Sequence, residues 1–130
     1  MAAPKKTQGL CHADRLHSKR EFEAVYLNGE QLHCANGIVT YLPNDLGIAR
    51  LGLSVSRKIG HAATRNRVKR RIREAFRRNS ALRSRGVDIV VQPRRNSQPA
   101  WEKNFLAGLH GVFKEISELE QRLVETRRNT

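Results

Sequence analysis

The most informative segment runs from Arg50 to Arg78 and has the sequence RLGLSVSRKIGHAATRNRVKRRIREAFRR. Its first seven residues alternate between apolar side chains and small or polar ones, and this period of two predicts a β-strand over residues 50–56. A loop over residues 60–64 follows, with Thr64 as the expected N-cap of a helix. The apolar residues beyond it recur at helical spacing and predict a helix that packs on a core. They are Val68, Ile72, Ala75 and Phe76.

The predicted helix concentrates the positive charge of the chain. The whole sequence has 25 Lys and Arg against 12 Asp and Glu, a formal charge of +13. Ten basic residues and a single acid, Glu74, lie between Arg57 and Arg78, so this segment carries +9 of the total. A solvated helix face usually mixes both signs, and cations in the first turn oppose the helix dipole. We therefore expect phosphates of a polyanion to supply the missing negative charge.

Composition narrows the class of protein. A chain of 130 residues with 38% hydrophobic residues is expected to form a single domain with a modest core. The two cysteines, Cys11 and Cys34, do not favour a disulfide-stapled secreted fold. The longest aliphatic run, Ile89–Val91, is far too short to cross a bilayer, and the N-terminus lacks the apolar stretch of a signal peptide. We expect a small cytoplasmic protein that does not bind a membrane.

Further helices and strands are predicted on both sides of this segment. A capping box at Ser18–Glu21 predicts the start of a first helix, which Asn28-Gly29 ends. A long amphipathic helix is predicted from about Pro99. Strands are predicted over residues 31–34, 37–42 and 87–91. The resulting order is αβββαβα, or αββαβα without the strand at 31–34, and it predicts an α+β or α/β sandwich.

The acidic residues are not arranged for catalysis by the protein. A metal-dependent nuclease holds its ions with clustered carboxylates, whereas the 12 acids are scattered along the chain. Cys11-His12 and His33-Cys34 are pairs of neighbours without C-x-x-C spacing, a pattern that does not favour a zinc site. Asp88 alternates with apolar residues, and we expect it to face away from the core or to make a local hydrogen bond. The sequence therefore predicts no catalytic residue and no metal or cofactor bound by the protein.

Three aromatic residues are not accounted for by the predicted core. Phe76 lies on the apolar side of the basic helix, and three further aromatics lie on the last helix, where packing explains them. Phe22 and Tyr26 on the first helix and Tyr41 on an early strand remain. These three form either a small core patch or a groove in which aromatic rings meet unstacked RNA bases.

The basic segment closely resembles the protein subunit of bacterial ribonuclease P. The resemblance rests on LGLSVSRKIG at residues 51–60, on Ala62, and on RNRVKRRIREAFR at residues 65–77. It extends from about Arg15 to Ile116. It implies an α+β sandwich of order αβββαβα whose strand–helix–strand crossover is left-handed, against the usual right-handed rule.

The resemblance also implies how the chain is divided and what it does. It implies a single ribonuclease P protein domain over residues 15–120, between a basic flexible tail at residues 1–14 and a C-terminal tail at residues 121–130. In this family the RNA subunit is the catalyst, and it uses magnesium ions to cut the 5′ leader from precursor tRNA. The protein binds the catalytic RNA and holds the single-stranded leader in a cleft between sheet and helix.

Matching positions imply two sets of RNA contacts. The first set is expected to line the leader cleft and comprises Phe22, Tyr26, Tyr41, Ser54, Lys58, Ala62 and Arg65. The second set is expected mainly to contact the catalytic RNA and comprises Asn66, Arg67, Lys69, Arg70 and Arg73. We therefore expect endonucleolytic tRNA 5′ processing as part of a ribonucleoprotein, with no autonomous active site in the protein.

Other functions remain open on the sequence alone. A ribosomal-type structural RNA-binding protein explains the basic helix but not a groove for a free strand. A self-sufficient nuclease requires clustered carboxylates, which this sequence lacks. The short apolar face of the basic helix and the absence of dimer signals do not favour DNA binding.

Overall fold

A four-stranded mixed sheet forms the centre of the structure, a computed structural model that describes residues 12–128. The strands are β1 (Glu30–Cys34), β2 (Gly37–Pro43), β3 (Arg50–Leu53) and β4 (Val87–Pro93). Their order in the sheet is β1-β2-β4-β3. β2 is antiparallel to both β1 and β4, whereas β3 and β4 are parallel. The last strand in sequence is therefore an inner strand, and β3 lies at an edge.

Within residues 12–128, four α-helices surround this sheet. They are α1 (Lys19–Asn28), α2 (Ala62–Arg78), the one-turn α3 (Ser80–Arg83) and α4 (Trp101–Arg128). Apart from α3, the chain order confirms the predicted αβββαβα sandwich, including the strand predicted at residues 31–34. α4 continues through residues 121–128, which the sequence analysis placed in a C-terminal tail. Residues 1–11 of the expected N-terminal tail lie outside the described residues.

The two faces of the sheet are covered by different helices. Val39 and Ile89 belong to the larger core, which includes the apolar sides of α2 and α4. Val90, on the opposite face, packs with Leu16 and with Val25 of α1. Because neighbouring strand residues point to opposite faces, this arrangement separates α1 from α2 and α4 by the thickness of the sheet.

The start of α2 differs from the prediction. The helix begins at Ala62 with His61 as N-cap, so the prediction of Thr64 as N-cap is wrong. Gly60, with φ of 149°, makes the turn that allows this earlier start. A Cβ atom at Gly60 would lie 3.2 Å from Cβ and Cγ2 of Thr64, which places Thr64 against the turn and inside the helix.

The connection from β3 through α2 to β4 joins two parallel neighbours. It is the strand–helix–strand crossover that the resemblance implies, and its left-handed sense stays an expectation. Its consequence for the site is that the basic helix follows the edge strand β3 and leads back to the inner strand β4, with Lys69 and Arg73 of α2 near β3.

Candidate nucleic-acid interface

The N-terminus of α1 is fixed by a capping box. The Ser18 hydroxyl accepts a hydrogen bond from the backbone N–H of Glu21 at 3.1 Å, and the Glu21 carboxylate accepts one from Ser18 N–H at 3.0 Å. The same carboxylate accepts a bond from His17 N–H at 2.7 Å. These backbone bonds, together with the Arg50 guanidinium, lower the pKa of Glu21 from its ordinary value of 4.5 to about 2. The predicted capping box is therefore confirmed.

This low pKa makes one contribution to stability pH-dependent. Because the pKa of Glu21 is lower in the folded state than in the unfolded chain, its contribution is complete above about pH 4.5 and is lost as the pH falls toward 2. We expect Glu21→Gln to unfold at lower urea concentration than the wild type at pH 6, with a smaller difference at pH 3. A difference that stays constant across this range would contradict the assignment.

An ion-pair network connects α1 to the sheet. Arg50 on β3 donates from Nε and Nη2 to the two carboxylate oxygens of Asp88 on β4, at 2.9 and 2.8 Å. Its Nη1 donates to Oε2 of Glu21 at 2.7 Å, and the amide of Asn44 donates to Asp88 Oδ1 at 2.6 Å. Asp88 is only 7% exposed. Asp88 therefore faces away from the larger core, as predicted, but it is buried on the α1 face, where an arginine from the neighbouring strand pairs with it.

With α1 fixed in this way, Phe22 lies directly over β3. A Cβ atom at Gly52 would lie 2.7 Å from both Cε1 and Cζ of the Phe22 ring. The ring is half-buried and packs against the cluster formed by Leu16, Val25 and Val90. Glycine at position 52 therefore provides the space that the aromatic ring occupies.

A cleft of about 240 Å³ opens along the β3 edge of the sheet, where residues of α1 and α2 both reach it. It brings Phe22 of the first predicted set together with Lys69 and Arg73 of the second. The lining residues are Arg15, Leu16, His17, Phe22, Leu51, Gly52, Leu53, Lys69 and Arg73. An aromatic ring next to cations is the combination that binds single-stranded nucleic acid, where bases stack and phosphates are neutralised.

A second cleft, of about 460 Å³, lies at the ends of β3 and β4. Its lining contains Ser54 and Lys58, which the sequence analysis assigned to the leader, and adds Gln92, Arg94 and Arg95. The sequence analysis missed both arginines. Arg95 Nη1 donates to the carbonyl of Ile59 at 3.4 Å, which ties the loop after β4 to the turn before α2. The sequence feature that could have indicated Arg94 and Arg95 is their position as neighbours directly after the end of a buried strand.

The structure places the other leader candidates at different locations. Tyr26, on α1, is 39% exposed, and Ala62 is exposed at the start of α2. Arg65 is half-buried one turn later. All three lie on the two helices that border the first cleft, although none of them is among its lining residues.

Tyr41 is not brought together with Phe22. It belongs to the core on the α2 and α4 face, is 7% exposed, and its hydroxyl donates to Oε2 of Glu30 at 3.0 Å. Burial and this carboxylate raise the pKa of Tyr41 to about 12. Thr40, paired with Val90 in the sheet, is the residue that faces α1. This placement puts Tyr41 and Phe22 on opposite faces of the sheet, so we do not propose a leader contact for Tyr41.

The second predicted set lies along α2 in two environments. Asn66 and Arg70 are exposed, and Lys69 and Arg73 line the first cleft. Arg67, by contrast, donates to both carboxylate oxygens of Glu102 on α4, at 2.9 Å from Nη2 and 3.3 Å from Nε. Arg71 pairs with the same carboxylate. The expectation that phosphates supply the negative charge missing from this helix therefore needs correction, because Glu102 already pairs with Arg67 and Arg71.

This difference predicts unequal salt effects for two neighbouring arginines. Loss of a phosphate contact lowers the slope of log K against log salt by roughly 0.7–0.9. We expect Arg70→Ala to reduce the slope for RNA binding by about this amount and Arg67→Ala by less than half of it, because Glu102 compensates the Arg67 charge before RNA binds. Binding titrations at a series of KCl concentrations would measure both slopes, and equal reductions would contradict the prediction.

No helix within residues 12–128 is long and apolar enough to span a bilayer. Among the side chains that the structure describes, no three from His, Cys, Asp or Glu are grouped closely enough to hold a metal ion.

The basic helix, the aromatic cleft and the α+β sandwich together define a small RNA-binding protein. Comparison with known proteins narrows this class. The family model described as Ribonuclease P matches residues 10–117, and the chain belongs to this family.

Relatives and solved structures agree with this assignment. The ribonuclease P protein component of Thermotoga sp. (strain RQ2) is 38% identical over 97 residues, which cover 75% of this chain and 83% of the relative. That of Caldanaerobacter subterraneus subsp. tengcongensis is 44% identical over 81 residues, or 62% of this chain and 69% of the relative. The RNase P protein from Thermotoga maritima superposes with a TM-score of 0.61 at 34% identity, covering 83% of this chain and 96% of that one. The RNase P protein from Staphylococcus aureus gives 0.62 at 31% identity, with 81% and 92% covered.

Proposed function

We propose that this protein, as a component of ribonuclease P, binds the ribonuclease P RNA and holds the 5′ leader of precursor tRNA while the RNA cleaves it. The observation that carries this proposal is the cleft in which the Phe22 ring lies beside Lys69 and Arg73. Such a cleft accepts an unpaired strand, because a base stacks on the ring while the cations neutralise its phosphates.

The path of the leader follows from the positions of the two clefts. Phe22 borders the first cleft, and Tyr26 lies one helical turn further along α1. Ser54, at the end of β3, and Lys58 line the second cleft with Arg94 and Arg95. A single strand running along the β3 edge therefore meets an aromatic ring in one cleft and hydroxyl and cationic groups in the other.

The exposed side of α2 adjoins the residues that line the first cleft and is available to the catalytic RNA. Asn66 and Arg70 lie on this side. Since Arg73 lines the first cleft, α2 contributes to both surfaces. The protein thus binds two RNA molecules with one helix and lowers the repulsion between their phosphates.

In this proposal the bond-breaking chemistry belongs to the RNA subunit and its magnesium ions. The protein contributes binding energy for the leader and positive charge near the junction of the two RNAs. Four of the carboxylates are engaged in ion pairs with arginines, namely Asp14, Glu21, Asp88 and Glu102.

A reconstitution experiment tests this proposal. Bacterial ribonuclease P RNA and a leader-bearing precursor tRNA are combined at low magnesium, with and without the protein, and with a protein-only control. We expect cleavage at the 5′ end of the mature tRNA only when both RNA subunit and protein are present. No stimulation at any protein concentration, or cleavage by the protein alone, would contradict the proposal.

Variants of the second cleft test the leader path in the same assay. We expect Lys58→Ala and Arg95→Ala to weaken holoenzyme binding to leader-bearing tRNA and to leave mature tRNA binding unchanged. Lys114→Ala, which removes an exposed charge from α4, is the matched control. Equal losses for both tRNAs would show that these residues do not contact the leader.

A further inference from the structure

Arg15 and Arg73 bring two positive charges into one cleft. The backbone of Arg15 pairs with Leu51 next to the edge strand β3, and Leu16 N–H donates to the Leu51 carbonyl at 3.0 Å. This pairing holds Arg15 against the sheet, while Arg73 reaches the same cleft from α2. Both side chains are half-buried. Two like charges are thus held in place by separate elements of the fold.

No acid compensates these charges within the described part of the chain. The lining of the cleft contains no carboxylate. Asp14, although adjacent to Arg15 in sequence, pairs with Arg83 at 3.4 Å, and Glu21 pairs with Arg50.

Two further properties favour the binding of an anion at this site. The Nε atom of Arg15 is buried without a hydrogen-bond partner among the described residues. Burial and the charge of Arg15 both lower the pKa of Arg73. A bound phosphate accepts a charge-assisted hydrogen bond from the buried Nε–H of Arg15. Its negative charge also offsets the repulsion between the two guanidinium groups.

We propose that Arg15 and Arg73 bind one and the same RNA phosphate, and that the adjacent Phe22 ring and Lys69 contact the nucleotide that carries it. Arg15 is therefore an RNA-binding residue outside the two sets that the family resemblance implies. The inference rests on the proposed function, because it assumes that RNA enters this cleft.

The phosphate belongs either to the ribonuclease P RNA or to the leader of precursor tRNA, and two measurements distinguish these sources. The first is the affinity of the free protein for ribonuclease P RNA. The second is the affinity of the reconstituted holoenzyme for precursor tRNA relative to mature tRNA. A loss in the first measurement assigns the phosphate to the catalytic RNA, and a loss confined to precursor tRNA in the second assigns it to the leader.

A double-mutant cycle tests whether the two arginines share a phosphate. We expect Arg15→Gln and Arg73→Gln each to lower one of these affinities about 10- to 100-fold, the effect of losing a hydrogen bond to a charged group. The double variant is expected to lose little more than either single variant, because the same contact is lost only once. Losses that multiply would show two independent contacts and overturn the shared site.

Thermal stability separates this role from a structural one. Removing either arginine relieves repulsion, so we expect Arg15→Gln to leave Tm unchanged or to raise it while RNA affinity falls. Arg15→Lys keeps the charge and is expected to recover part of the affinity. The inference would be overturned if the affinities of Arg15→Gln for both RNAs were within threefold of those of the Lys114→Ala control. A lower Tm for Arg15→Gln than for the wild type would also overturn it. Failure of the wild type to stimulate cleavage would instead reject the proposed function.

Discussion

Arg50→Ala is expected to lower the free energy of unfolding by about 3–5 kcal/mol, the cost of leaving one partner of a buried ion pair without the other. Arg50 makes bidentate bonds to Asp88, which is 7% exposed, and also binds Glu21 at the start of α1. Its loss therefore leaves a buried carboxylate without its cation and releases the contact between α1 and the sheet. Equilibrium urea denaturation followed by circular dichroism measures the change.

Two further variants separate the ion pair from a general charge effect. Arg20→Ala removes an exposed arginine from α1 and is expected to change stability by less than about 0.5 kcal/mol. The double variant Arg50→Met/Asp88→Leu is expected to recover much of the loss, because it removes both charges together. A loss below about 1 kcal/mol for Arg50→Ala would show that the network contributes little.

Gly52→Ala is expected to weaken holoenzyme binding of leader-bearing tRNA about 5- to 150-fold, the range that corresponds to loss of one base–aromatic stacking contact. The added Cβ would lie 2.7 Å from two atoms of the Phe22 ring, and the Leu16 side chain, at 3.0 Å, limits the room for adjustment. The ring must then leave its position above β3. Binding of mature tRNA, which has no leader, is expected to stay unchanged.

The control for this prediction is another glycine. A Cβ atom at Gly111, on α4, would have no atom within 4 Å, so Gly111→Ala is expected to leave binding unchanged and to stabilise the helix by up to about 1 kcal/mol. The double variant Gly52→Ala/Phe22→Ala is expected to bind leader no more weakly than Phe22→Ala. Additive losses would show that Gly52 acts on the leader by a route other than Phe22.

The periodicity of apolar residues was sufficient to predict the main helices and strands and most of the buried core residues. Val68, Ile72, Ala75 and Phe76 form one apolar side of α2, and all four are buried. The capping box at Ser18 was recognisable because its two hydrogen bonds join residues only three positions apart. Such features depend on local spacing, which the sequence displays directly.

Features that depend on contacts between distant segments were not predictable in the same way. The pairing of Arg67 with Glu102 joins residues 35 positions apart, and that of Arg50 with Asp88 joins residues 38 apart. Periodicity reports that a helix has a charged side but does not report which element lies against that side. The basic helix was therefore recognised, whereas the carboxylate that neutralises part of it was not.

Tyr41 shows a different limit of sequence-based prediction, which concerns the face of the sheet to which a strand residue points. Residues 40 and 41 are neighbours on β2, yet a strand directs them to opposite faces of the sheet. Only the register with β4, which pairs Thr40 with Val90, determines which of them faces α1. An aromatic residue such as Tyr41, which points to the face covered by α2 and α4, belongs to the core even though its ring could stack on a base.

The inner position of β4 constrains the order in which the protein matures during synthesis. β2 and β3 have no direct pairing with each other in the sheet order β1-β2-β4-β3, and only residues 87–93 join them. The ribosome therefore releases α1, three strands and the entire basic helix before the strand that unites them has been made. Until β4 emerges, the nascent chain exposes its cationic helix without a completed sheet beside it, so functional RNA binding must await the synthesis of β4.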